Sequence, residues 1–72
     1  MRARNILARN LRQARRQLGL SQEELALRAQ VDRTYISALE RAVYSASLDT
    51  IEKISDALGK ETYELLYPTD NW

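Results

Sequence analysis

The sequence predicts an all-α domain, a compact bundle of five short helices whose second and third form a tight pair. Three observations lead there. The 72 residues hold only two Gly and one Pro and are rich in Ala, Leu, Arg and Glu, a composition suited to helices. Apolar residues recur at intervals of three and four along most of the chain. Finally, residues 21–41, SQEELALRAQVDRTYISALER, read as two capped helical segments with only Ala29 to Val31 between them.

The first helix is expected over residues 4–18. Leu7, Leu11, Ala14 and Leu18 form one apolar stripe, and Gly19 ends the helix where a left-handed conformation costs glycine nothing. Arg9, Arg12 and Arg16 point away from that stripe, and Arg2 joins them if the helix extends so far. For Arg2, Arg9 and Arg16 two readings stand, solubility or general attraction to phosphate. Arg15 flanks the stripe and is half-buried, so it needs a carboxylate; Glu40 is the best candidate.

Ser21 caps the second helix, 22–29, and Glu24 three positions later completes a capping box. Leu25, Ala26 and Ala29 are its buried side. Gln22 sits in its first turn, either as a solvent-facing residue or where a phosphate meets free amides and the positive dipole end. Asp32 caps the third helix. So short a connection forces a steep crossing, the geometry of a helix-turn-helix. On a helical wheel at about 100° per residue, Ile36 and Leu39 share one face, flanked by Tyr35 and the stem of Glu40. The opposite face collects Arg33, Thr34, Ser37, Ala38 and Arg41, with no acid and no large aliphatic residue. A fork-shaped donor, two hydroxyls and a methyl group are the types that read base edges in a major groove. The alternative is an ordinary solvated face; the tight helix pair and the lack of negative charge favour groove reading.

The loop Ala42 to Ser47, AVYSAS, offers small and hydroxyl-bearing residues that can approach a phosphate closely. Ser47 caps a fourth helix to Leu58, with Leu48, Ile51, Ile54 and Leu58 inward, Gly59 as the stop, and Asp49, Glu52 and Asp56 outward. A fifth, about Glu61 to Leu66, ends before Pro68. Its Tyr63, Leu65 and Leu66, with Tyr67, either complete the core or form a contact for a second copy. Trp72 is frayed or covers such a contact.

Composition excludes several functions. Without Cys or His there is no disulfide and no plausible metal site, and no cofactor is implied. No run approaches the roughly 20 apolar residues that span a bilayer. The start, MRARNILARNLRQARR, lacks the apolar stretch of a secretory signal, so a cytoplasmic protein is expected. Catalysis is not expected either: the carboxylates read as exposed faces or caps, and Ser and Tyr have no visible base. Residues 1–20 carry six Arg and no acid, whereas the remainder carries five basic against ten acidic residues, for a net charge of +1. Such a division suits an anionic partner on one side and solvent on the other.

The segments RQLGLSQEELA, VDRTYISALER, SLDTIEKISDALG and YELL, in this order, resemble the Cro and phage-repressor (XRE) helix-turn-helix regulators from about Leu11 to Leu66. The run DRTYIS is also similar to the controller proteins of restriction–modification systems, compact dimeric regulators. The resemblance implies a single lambda-repressor-like domain, with its core at about residues 4–67 and a tail at 68–72. It implies a sequence-specific regulator of double-stranded DNA, a homodimer on a pseudo-palindromic operator. Arg33, Thr34, Ser37 and Ala38 then face bases, and Tyr35 lies near the sugar-phosphate wall. Ser21, Gln22 and Arg41 hold phosphates with Tyr44, Ser45 and Ser47 of the loop, and Arg12 joins these backbone contacts. The resemblance also supports the Arg15–Glu40 pair; for the homodimer the apolar surface of Tyr63, Leu66 and Tyr67 is the candidate contact. An antitoxin-type module, binding a protein partner through the apolar C-terminal helix, is the alternative. This chain departs from the family in having Gln30 and Ala42 where Gly is usual, Ala46 where Pro is usual, and no Lys or Arg in the loop. A left-handed backbone at a non-glycine residue costs on the order of 1 kcal/mol.

Overall fold

The computed structural model describes residues 2–68 and contains five helices and no strand among them. Helix α1 (Arg2–Gln17) starts two residues earlier than expected and ends one earlier. Leu18, expected on the apolar stripe, is 51% exposed instead. The helix has already ended there, and Gly19, at φ 69, turns the chain so that Leu20 enters the core. The Leu20 amide donates back to the Arg15 carbonyl at 3.1 Å, closing the turn.

Helix α2 (Gln22–Ala29) begins with the expected capping box: the Glu24 amide donates to Ser21 Oγ at 3.0 Å, and the Ser21 amide donates to Glu24 Oε1 at 2.9 Å. Helix α3 (Arg33–Glu40) is capped by Asp32 Oδ1, which accepts from the Thr34 amide at 2.8 Å. Between them Gln30 takes the left-handed conformation at φ 59, and so does Ala42 after α3. Both positions usually hold glycine in the resembled family, so the backbone path is kept without it.

Helix α4 (Leu48–Leu58) buries Ile51, Ile54 and Leu58 as expected, and Gly59 at φ 69 ends it. Leu48 does not point inward; it is 74% exposed. It is the first residue of the helix, a turn ahead of the buried stripe, where no other element covers it. Helix α5 (Thr62–Leu66) is preceded by Glu61, whose amide donates to the Glu64 carboxylate at 2.7 Å. Of the four apolar residues around it, only Leu65 enters the core; Tyr63 and Tyr67 are largely exposed and Leu66 partly so.

Leu11, Leu25, Ile36, Leu39, Ile54 and Leu65, from all five helices, form the centre of the core. Helix α1 packs against α3 and α5, and α2 against α3 and α4. Asn10 fastens α5 to α1: its buried Nδ2 donates to the carbonyls of Leu65 at 2.8 Å and Tyr67 at 2.9 Å. No helix among the described residues is long and apolar enough to cross a membrane. Trp72 lies outside the described residues.

Candidate nucleic-acid interface

Helix α3 is amphipathic by its residue order. Ile36 and Leu39 are buried against α1 and α2, which turns Arg33 and Thr34 fully, and Ser37 and Ala38 partly, toward the surface. Neither of the two acids beside that face is left unengaged, although Asp32, which precedes the helix, is exposed. The Asp32 carboxylate is engaged at the helix N-terminus, where it favours the dipole. Glu40 is only 4% exposed and lies on the opposite side, toward α1.

The pair expected of Arg15 and Glu40 is a two-pronged ion pair. Arg15 Nε donates to Glu40 Oε2 at 2.6 Å and Nη2 to Oε1 at 3.0 Å, while Nη1 donates to the Leu20 carbonyl at 2.7 Å. The hydrogen bond to Glu40 raises the Arg15 pKa above its ordinary value, against the effect of burial. Gln22, for which sequence left two readings open, is half-buried and donates from Nε2 to Glu40 Oε1 at 3.1 Å. Arg12 requires a correction. Expected to point away from the stripe toward phosphate, it is half-buried and donates from Nη1 to the Glu40 backbone carbonyl.

That contact completes the C-terminus of α3. The Ser37, Ala38 and Leu39 carbonyls accept from the amides of Arg41, Val43 and Ala42, and Arg12 supplies the partner for Glu40. Two guanidinium groups of α1 therefore stand at the negative end of the α3 dipole. Arg41 stays exposed beside it, its Nε donating to the Ser37 carbonyl at 3.3 Å.

The loop after α3 is anchored by aromatic contact. The Tyr44 ring meets Tyr35 edge to face, with centroids 5.2 Å apart and planes at 83°. Tyr44, Ser45 and Ser47 are exposed. Ser47 is also the cap of α4: its Oγ accepts from the Thr50 amide at 3.2 Å and bonds Thr50 Oγ1 at 3.0 Å. Ser21 Oγ is similarly engaged in its cap. An open cleft between the starts of α2 and α3 is lined by Arg15, Ser21, Gln22, Glu23 and Arg33. Arg33, Thr34, Ser37, Ala38 and Arg41 thus share one continuous helix face, and Ser21 and Gln22 lie at its edge. Tyr63 and Leu66 belong instead to α5, which packs against α1 and α4, and Tyr67 follows it.

Sequence reasoning missed two contributors. Asn10 received no role from the sequence, although its spacing of three from Leu7 puts it beside the apolar stripe. Arg12 looked like its neighbours Arg9 and Arg16; its spacing of three from Arg15 was the available signal.

The family described as Helix-turn-helix matches residues 11–65. The chain is 49% identical over 65 residues to a hypothetical transcription factor of Neisseria meningitidis, covering 90% of this chain and 61% of that protein. It is 53% identical over 47 residues to the control protein C.BamHI of Bacillus amyloliquefaciens, covering 65% of this chain and 58% of that protein. The chain therefore spans about three fifths of the length of these two relatives. The crystal structure of the Neisseria factor superposes with a TM-score of 0.89 at 48% identity, covering 92% of this chain and 76% of that one. The restriction–modification controller protein C.AhdI of Aeromonas hydrophila superposes with a TM-score of 0.86 at 37% identity, covering 90% and 98%.

Proposed function

Because this chain belongs to the helix-turn-helix family, of the Cro and phage-repressor type, we propose that it is a sequence-specific regulator of transcription that binds double-stranded DNA as a homodimer. The observation that carries the reading is the face of α3. A helix of eight residues presents Arg33, Thr34, Ser37 and Ala38 outward while both nearby carboxylates are engaged elsewhere. On this reading Arg33 makes a two-pronged contact to guanine in a major groove, and the Ala38 methyl and the hydroxyls supply the remaining contacts. Arg41, Gln22, Ser21 and the loop residues Tyr44, Ser45 and Ser47 then meet phosphates on either side, with Tyr35 against the backbone wall. Arg12 serves first as the brace of α3.

The size of the described residues supports a homodimer. The described residues extend 28 Å at most, less than the roughly 34 Å between successive major-groove sites on one side of a duplex. One copy therefore reads one half-site, and two copies meeting through Tyr63, Leu66 and Tyr67 read a pseudo-palindrome. The similarity to a protein named as a restriction–modification controller, C.AhdI, supports a regulatory role.

Salt titration tests the proposal. Affinity for duplex DNA is expected to fall linearly in log–log form as counterions are released, and Arg41→Ala is expected to reduce that slope by about one. The variant weakens binding to all sequences alike. A protein that binds no duplex at low salt contradicts the proposal, as does a strictly monomeric protein by light scattering for the dimer.

A further inference from the structure

The Glu40 carboxylate lies where three helices meet. Two bonds from Arg15 tie it to α1, and the bond from Gln22 Nε2, at 3.1 Å, ties it to the first residue of α2. An ionised carboxylate only accepts, so Gln22 must turn its nitrogen and not its oxygen toward Glu40. One N–H is consumed there. The other makes no hydrogen bond among the described residues, and Gln22 lines an open cleft with Ser21, Glu23 and Arg33. Glu23 puts a negative charge on the rim of this cleft, so an arriving phosphate gains only from donors that are well aimed. An unanchored Gln spreads over rotamers and over both amide orientations, and a contact must then meet the cost of ordering it.

Resting on the DNA-binding reading above, the geometry points to Glu40 as a positioning residue for the phosphate contact of α2. Through Gln22 it aims an N–H at the duplex, and through Arg15 it holds that contact in a common frame with α3. The acid kept away from the groove thus serves the backbone contact from beneath.

A double-mutant cycle with Glu40→Gln and Gln22→Met tests this. Affinity is measured for a duplex selected from random-sequence DNA by the wild-type protein, at a temperature where each variant keeps its helical circular dichroism. Each single change is expected to lower affinity about tenfold, the worth of one charge-assisted hydrogen bond. The double variant is expected to bind within about twofold of Gln22→Met alone, because the two residues act as one unit. The free protein gives a second readout by NMR: one Gln22 side-chain amide proton is protected from exchange and the other is not, and Glu40→Gln abolishes the difference. Additive losses, or Gln22 amide signals indifferent to Glu40→Gln, overturn the role of Glu40 and leave DNA binding standing. Two rapidly exchanging Gln22 protons in the wild-type protein overturn it without any variant having to fold. A wild-type protein that retains no duplex overturns the DNA-binding reading itself, and this role with it.

Discussion

Glu40 shows how one side chain can be a liability and an asset at once. A carboxylate 4% exposed is tolerable only because Arg15 bonds it twice and Gln22 once. Arg15→Met removes the main partner while keeping most of the apolar stem. It is expected to destabilise the fold by about 3–5 kcal/mol, since the cost is that of a buried charge left unpaired. Urea unfolding measures it; a loss under about 1 kcal/mol would mean that the pair behaves like an exposed surface bridge. Sequence exposed this pair because Arg15 flanks an apolar stripe, a position where an unpartnered guanidinium is costly. It did not assign the partner of Arg12: the spacing of three from Arg15 puts the two on one side of the helix, but a carbonyl acceptor at a helix end leaves no mark in the pattern. The same holds for Asn10, whose acceptors are the carbonyls of Leu65 and Tyr67, more than 50 residues away.

At the scale of elements, caps set the boundaries and core contact sets the phases. Ser21, Asp32 and Ser47 are each legible from the sequence because a cap is a local hydrogen bond. Leu18 and Leu48 were misplaced because a spacing rule assumes that the helix continues and that a neighbour covers it. Gly19 stops the first helix before Leu18 can count, and Leu48 precedes the stretch of α4 that meets the core. The left-handed Gln30 is a cost that the fold carries between α2 and α3. Gln30→Gly is expected to stabilise the protein by up to about 1 kcal/mol, read from urea unfolding; destabilisation would show that the Gln side chain contributes more than its backbone costs. The capping box gives α2 a pH dependence. The Ser21 amide bonded to Glu24 is the main cause of its lowered pKa, followed by the Ser21 side chain. The stability this contributes is present above the ordinary carboxylate value and is lost as pH falls through the lowered folded value. Glu24→Gln is therefore expected to melt lower than wild type near neutral pH. In strong acid the two melting temperatures should converge, and a constant gap across the range would contradict it.

Among the described residues, α1 carries arginines and no acid, whereas α4 carries three acids and one lysine. Arg12 and Arg15, two of the six arginines of α1, are spent on bracing α3, while Asp49, Glu52 and Asp56 lie exposed on α4. An acid-free surface on α3 thus emerges from a nearly neutral chain, which is why overall charge says little about function here. The fold class was readable from helical spacing and caps; which of the apolar residues around α5 are buried was not, because it depends on what α1 and α4 cover. Only Leu65 is taken into the core, and Tyr63, Leu66 and Tyr67 stay exposed, the surface through which the proposed dimer would form. The most direct test of the whole account is selection of binding sites from random-sequence duplex DNA, run in parallel with wild type and Arg33→Ala. Wild type is expected to enrich a pseudo-palindrome with half-sites about one helical turn apart, and the variant to lose about 1–3 kcal/mol of preference at one base pair in each half-site. No enrichment by wild type in dilute buffer, or an unchanged preference in the variant, would contradict groove reading by α3.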